Sequence, residues 1–288
     1  PLEPASTDGA ADRLDATRTR ALARHAAERS IVLLKNMDSL LPLRPPPSRR
    51  ASRRWRLAVV GPAGGCGDDG EGGAPGALCE AQHLLLGSYA STLSTRRARV
   101  PTLVGALRVA LAAQLDVGAR PLVEFASGAA VEVDADVDAG ARVKELDAAV
   151  ALARRADAII VAVGDTAHTA GEWADRASTE LPGNQPALLA ALSSLGKPLV
   201  LVLVGGRPAT FGGRRGDALL HNVSSLLFTY PPGQEGAAAI SRVLLGEASP
   251  GGRLAHAWPR RAGPSPWLQP VSGKWLTHGW AGGGARGD

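Results

Sequence analysis

Apolar positions along this chain fall into two textures. In the first, short runs are apolar at every position: Leu57-Ala58-Val59-Val60, Ala158 through Val163 and Leu199 through Val204, with 225–230 apolar except for Ser225 and Thr229. A strand with no polar alternation must be covered on both faces, which is the habit of parallel sheets. These runs stop at Gly61-Pro62, Gly164, Gly205-Gly206 and Pro231-Pro232, where a buried strand gives way to a loop. In the second texture apolar residues recur every three or four positions. That spacing predicts helices over 103–115, 141–155, 185–195 and 234–245, the last two stopped by Gly196 and Gly246. Leu14, Leu22, Ala26, Ala27, Ile31 and Leu34 extend the same spacing into a helix over 12–36, and 121–126 reads as a further strand.

Strands alternating with helices, the strands apolar on both sides, predict an α/β fold: a three-layer α/β/α sandwich around a largely parallel sheet. The expected organisation is an entry linker and helix over 1–36, the sandwich over 37–260, and a disordered tail over 261–288. In such sheets ligands sit beyond the carboxyl ends of the strands. The loops following Val60, Val163, Val204 and Tyr230 are therefore the places to look for chemistry. The glycine-rich stretch 64–76 reads as mobile, and Glu235 is placed to cap the helix immediately after it.

Composition narrows the function classes. With 288 residues and 45% hydrophobic content the chain can bury a substantial core. Its formal charge of +5 comes from arginines clustered at 49–56 and 96–99, beside prolines and turns. Solvated loops account for that excess, so neither a nucleic-acid partner nor a membrane partner is expected, and no apolar run has the ~20 residues of a membrane span. Gly61-Pro-Ala-Gly-Gly follows a strand but has neither a dinucleotide fingerprint nor a Gly-Lys-Ser/Thr ending, so no cofactor is expected. Cys66 and Cys79 show no metal-ligand spacing, so no metal site is expected; in an oxidising compartment they are candidates for a disulfide. The chain opens on Pro1 rather than Met and reads as a piece of a longer protein whose targeting segment, if any, lies elsewhere.

The loop after the 158–164 strand concentrates reactive groups. It carries His168, Glu172, Trp173, Asp175, Arg176 and Glu180 before the next helix begins near Gln185. It is long beside the usual ~2–6 residues of such connections, and long ordered loops at strand ends are commonly functional. A carboxylic acid, a paired cation and an aromatic wall suit acid/base work on a sugar.

The run Gly171-Glu172-Trp173-Ala174-Asp175-Arg176 with Leu181-Pro182-Gly183-Asn184-Gln185 resembles the G-E-x-x-D-R … L-P-G-x-Q segment of family 3 glycoside hydrolases of the β-glucosidase and β-xylosidase type. Ile31 through Asn36 with Leu40-Leu-Pro-Leu43 is similar to the family's I-V-L-L-K-N … L-L-P-L entry. Lys197 through Pro208, Tyr230 through Gly236 and Val243 through Leu254 match further segments in the same order. The resemblance covers roughly 21–259 and implies the family's C-terminal α/β sandwich. By position it implies that Glu172 is the general acid/base and that Tyr89 in Leu86-Gly-Ser-Tyr89 helps form the sugar slot beyond the cleaved bond; from the residue types gathered in the loop, Trp173, His168 and Arg176 are expected to line the substrate site with Tyr89. The implied activity is retaining hydrolysis of a β-linked glycoside or oligosaccharide. The nucleophilic Asp of this family comes from an N-terminal barrel, for which a further ~250 residues are needed. A barrel partner, in cis or as a separate domain, is therefore expected, with this chain inactive alone and an apolar docking face bordering the loops after Val60 and Val163. The alternative is a non-catalytic sandwich that binds carbohydrate or a protein partner. The family also favours secretion, for which Asn222-Val-Ser224 supplies a glycosylation acceptor.

Overall fold

The computed structural model describes residues 16–44, 54–67, 78–90, 100–114, 121–132 and 139–259, apart from 173, 175, 177 and 213. Six strands form one sheet: β1 (Val32–Asn36), β2 (Arg56–Val60), β3 (Leu122–Ala126), β4 (Ala158–Gly164), β5 (Leu199–Val204) and β6 (Ser225–Thr229). Their order is β1-β6-β5-β4-β2-β3, parallel throughout except that β1 runs antiparallel to β6. The helices are α1 (Ala16–Ser30), α2 (Glu80–Leu86), α3 (Leu103–Gln114), α4 (Ala139–Arg155), α5 (Gln185–Ser193), α6 (Arg214–Asn222) and α7 (Gly236–Leu245).

Successive strand residues feed opposite layers, as the pleat requires. Leu57, Val59, Ile160, Ala162, Val200 and Val202 pack with apolar residues of α1, α2, α3 and α7. Ala58, Val60, Ile159, Val161, Val163, Leu201 and Leu203 face the opposite layer, where α4 and α5 cover them. Every residue of β4 and β5 is buried, which is why these runs show no polar alternation. The three-layer α/β/α sandwich expected from the sequence is the observed fold.

The helix expected over 12–36 ends at Ser30, and Val32–Asn36 form β1 instead. Apolar spacing alone could not separate the two, because Ile31-Val32-Leu33-Leu34 continues a helical stripe yet is short, apolar and β-branched at its start. Tertiary pairing decides: Val32 stands opposite Phe228 and Leu33 opposite Leu227, so the segment protects the outer edge of β6. Lys35 and Asn36 then tie the strand to its neighbours by hydrogen bonds. Lys35 Nζ donates to the Leu220 and His221 carbonyls at 2.6 and 3.2 Å, satisfying the end of α6. Asn36 Oδ1 accepts from the Leu41 amide and from Ser225 Oγ, and its Nδ2 donates to the Leu41 carbonyl, clasping the Leu40 to Leu43 turn to the sheet.

Helix α1 docks on α7 through charge as well as contact. Arg242 Nε lies 2.6 Å from Glu28 Oε1, and Arg20 Nε 2.5 Å from Glu235 Oε1. Glu235 thus serves as an inter-helix partner; as N-cap residue of α7 it makes no side-chain capping bond. Apolar spacing does not announce α2 or α6. Helix α2 is only two turns, and α6 is amphipathic but largely polar.

Two contacts fix the edge of the sheet where ligands are expected. The first is made by Gln185, which is fully buried. Its Oε1 accepts from the Gly164 amide at 2.8 Å, and its Nε2 donates to the Gly164 and Pro182 carbonyls at 2.9 and 3.0 Å. The last residue of β4 and the first of α5 are thereby pinned at one point, closing the intervening loop. The second is made by Glu80, whose Oε1 accepts from the Val131 amide at 3.1 Å. Burial pushes the Glu80 carboxyl above its ordinary range, the Val131 amide opposes that, and the Glu132 and Glu145 carboxylates add to it.

Gln185→Leu keeps the volume but strands the Gly164 and Pro182 backbone groups, and should cost about 2–4 kcal/mol in urea denaturation, since each buried polar group left unpaired costs ~1–3 kcal/mol. A loss below ~0.5 kcal/mol would show that the loop is pinned elsewhere. For Glu80 the raised pKa sets the sign: folding favours the protonated carboxyl, so its contribution is present at acid pH and is lost as pH rises through the folded value. Glu80→Gln keeps an acceptor for Val131 without the charge. Its melting temperature should match the wild type near pH 4 and exceed it near pH 7; an equal difference at both pH values would contradict this.

Candidate active site

The loop from Asp165 to Asn184 leaves the carboxyl end of β4, in the middle of the sheet. Its base is organised around Asp165, whose side chain is only 10% exposed. Arg207, from the loop after β5, donates Nη2 to Asp165 Oδ1 at 2.9 Å and also to the Thr169 carbonyl at 2.5 Å. Arg176 Nη1 approaches the same Asp165 oxygen at 3.5 Å, while its Nη2 donates to the Glu180 carbonyl at 3.0 Å. Burial lowers the Arg176 pKa, the Arg207 charge lowers it further, and Asp165 acts in the opposite direction. Thr166 and Thr169 complete the turn: the Thr166 amide donates to Thr169 Oγ1 at 2.9 Å, and Thr169 Oγ1 to Asp165 at 3.2 Å.

The far end of the loop explains the Leu-Pro-Gly-Asn-Gln run. Leu181 is buried, and Pro182 offers its carbonyl to Gln185. Gly183 has φ +64° and lies so close to the Ala130 carbonyl that a Cβ would sit 2.1 Å from that oxygen. Asn184 Oδ1 accepts from the Ala130 amide at 2.7 Å.

Between these anchors Glu172 stands exposed at the loop tip. Its amide donates to Tyr89 Oη at 2.9 Å. Tyr89 is 77% exposed, so its ring is open to solvent beside Glu172. The preceding Ser88 donates Oγ to the Ala170 carbonyl. Gly171, between the two bonded residues, has φ +138°, and a Cβ there would meet Ser88 Cβ at 3.0 Å. Both Ser88 and Tyr89 come after α2, which is itself held at three places. Cys79, the N-cap residue of α2, is disulfide-bonded to Cys66 in the loop after β2, with Cα atoms 5.9 Å apart. The Leu85 carbonyl accepts from the Gly233 amide in the loop after β6 at 2.8 Å. Glu80 takes the Val131 amide beyond β3.

His168 is exposed, and its amide donates to Thr166 Oγ1 at 3.3 Å. It lines a cavity of about 510 Å3 with Glu80, His83, Ser88, Glu132 and Thr166. The structure therefore brings Glu172, Tyr89 and Ser88 together, places His168 in the neighbouring cavity, and sets Arg176 at the loop base with Asp165 and Arg207. Trp173 and Asp175 lie outside the described residues, as do most of the clustered arginines and the tail from 260 onward.

Sequence reasoning does not reach Asp165, Arg207, Gln185 or Ser88 as site residues. Gln185, Arg207 and Ser88 carry a signal there only as members of segments that resemble the family's; Asp165 is unremarkable until the fold brings its partners. The loop after β2 leaves little for a phosphate to bind. The Gly61 amide donates to the Ala126 and Ser127 carbonyls, Ala63 to Ala162, and Gly64 to Gly61. Among the described residues no group of acidic, His or Cys side chains is suited to hold a metal, and no helix is long and apolar enough to cross a membrane. The expected apolar docking face is also not seen among the described residues. Leu22, Val109 and Val143 are exposed on separate helices, and of the large exposed apolar side chains only Tyr89 borders the loop after Val163.

Known proteins share both the sequence and the architecture. A β-xylosidase of Formosa agariphila is 30% identical over 247 residues, covering 86% of this chain and 29% of its own length. A periplasmic β-glucosidase of Salmonella typhimurium is 30% identical over 280 residues, covering 92% and 32%. The chain thus spans about a third of the length of these relatives. Among solved structures, a β-glucosidase from Erythrobacter marinus superposes with a TM-score of 0.58 at 28% identity, over 81% of this chain and 29% of that one. An exo-β-xylosidase bound to a xylobiose aziridine probe gives 0.56 at 27% identity, over 83% and 25%. The model of the glycosyl hydrolase family 3 C-terminal domain matches residues 31–276, and with the sandwich and its carboxyl-edge loop this chain belongs to that family.

Proposed function

We propose that this domain supplies the general acid/base, Glu172, of a retaining β-glycosidase of the β-glucosidase or β-xylosidase type. The observation that carries the reading is an exposed carboxylic acid on a long loop pinned at both ends, at the carboxyl edge of the sheet. The relatives' names supply the substrate class, β-linked glycosides. The cleft is completed by an N-terminal barrel bearing the carboxylate nucleophile, in cis or as a partner, and the share of the relatives' length that this chain spans leaves room for one. In the first step the nucleophile attacks the anomeric carbon while the Glu172 proton passes to the glycosidic oxygen, which leaves as an alcohol. In the second, the Glu172 carboxylate takes a proton from water as that water displaces the enzyme carboxylate, restoring the original configuration. The two carboxyl groups then stand ~5–5.5 Å apart across the domain interface.

Tyr89, His168, Trp173 and Arg176 are proposed as the groups around the leaving sugar, Tyr89 offering its open ring and Arg176 sharing its guanidinium with Asp165. The Cys66–Cys79 bond suits an oxidising compartment.

Purified alone, the 288-residue chain is expected not to hydrolyse aryl β-glycosides, since covalent catalysis needs the nucleophile. With a family 3 barrel supplied, Glu172→Gln should lower disaccharide hydrolysis by ~10²–10⁴-fold while sparing the first step on a dinitrophenyl glycoside, whose leaving group departs without a proton. Azide, needing no base, should restore turnover by forming a β-glycosyl azide. If Glu180→Gln showed this signature and Glu172→Gln did not, the acid/base would be misassigned.

A further inference from the structure

We infer that Ser88 and Tyr89 form a strap whose role is to set the position of the acid/base loop, so that Tyr89 is a positioning residue for Glu172 through its hydroxyl and not only a surface for a sugar. The inference rests on Glu172 being the acid/base. Two bonds from consecutive residues of the strap reach two residues that bracket Gly171: Ser88 Oγ donates to the Ala170 carbonyl, and the Glu172 amide donates to Tyr89 Oη. An N–H and a C=O on either side of one peptide segment are thus taken by one partner segment, which fixes the direction of that segment and with it the Cα–Cβ vector of Glu172.

The contact is close as well as bonded. Gly171 lies against Ser88 with φ +138°, so the loop meets the strap where a side chain would have to push Ser88 aside. A tyrosine that is 77% exposed has lost little water by making its bond, so burial does not explain its placement; the geometry of its hydroxyl does.

The strap has a rigid support. Gly87 ends α2 with its amide on the His83 carbonyl, and a Cβ there would meet Pro231 Cβ at 2.8 Å, so the exit of the helix is seated on the loop after β6. At its other end the helix is tied to the loop after β2 by the disulfide. Helix α2 therefore acts as a strut from which the strap reaches the loop after β4. A loop tip held this way keeps its carboxyl near one place, and proton donation depends steeply on that placement, a misplacement of ~1 Å being enough to cost ~10²-fold.

Tyr89→Phe tests this, because it keeps the ring and deletes only the oxygen. In the 288-residue chain, amide exchange at Glu172 followed by NMR should quicken about 5–10-fold, the value of one net hydrogen bond, while amides of β4 stay unchanged. With the barrel supplied, kcat on a disaccharide should fall about tenfold with KM held within twofold, while kcat/KM on a dinitrophenyl glycoside, which reports only the first step, changes less than twofold, as expected for a lost transition-state interaction at the general acid. Ser88→Ala should change the same quantities in the same direction. The inference is overturned if Tyr89→Phe leaves both exchange and kcat unchanged while Tyr89→Leu raises KM on every substrate, since Tyr89 would then be a sugar platform alone. Glu172→Gln measured alongside keeps the two readings apart. If that variant lacks leaving-group dependence, the acid/base assignment fails while the exchange result still decides whether the strap holds the loop; if it shows the dependence and Tyr89→Phe does not, only the strap is wrong.

Discussion

The carboxamide of Gln185 and the peptide of Gly164 form the contact on which the candidate site depends. One side chain saturates both backbone groups of the residue where β4 ends, and its remaining hydrogen reaches the Pro182 carbonyl. Buried amides are costly when unpaired and strong when paired, so this contact allows few alternatives. Joining the two ends of a twenty-residue excursion also removes the freedom that a loop of that length would otherwise have. Everything between Asp165 and Asn184 is then built on fixed posts, and the tip is free for display instead of anchoring.

Helix α2 is the second constraint, and it works laterally. A helix of two turns has little stability of its own. Here it is wedged among the carboxyl-end loops, with Leu84 and Leu85 in the core below, a disulfide at its start and Pro231 at its exit. The loops after β2, β4 and β6 are consequently coupled through one short element. A sandwich edge of separately hinged loops could offer the same residues without holding them in one arrangement.

Charge is divided unequally between the carboxylates of this region. Among the described residues the ion pairs of the loop converge on Asp165, which Arg207 and Arg176 approach at 2.9 and 3.5 Å. Held by two guanidiniums, this carboxylate serves as a structural counter-ion. Glu172, at the tip and open to solvent, is held through its backbone amide by Tyr89.

The sequence alone determined the fold class and the place of the long loop after β4. The all-apolar runs of β4 and β5 admit no solution but burial on both faces, and burial on both faces implies helices above and below a parallel sheet. Local patterns of this kind are readable because each residue answers to its own layer. The sequence also singled out Glu172, since a carboxyl in that recurring segment stands out without any knowledge of its neighbours. Tertiary structure decided the rest. The residues at 32–36 fit a helical stripe until β6 offered an edge to pair with, and Glu235 looked like a cap until Arg20 reached it from α1. Ser88, Asp165 and Arg207 acquire meaning only through partners 82, 42 and 38 positions away, because a hydrogen bond between distant segments leaves no periodicity in either of them.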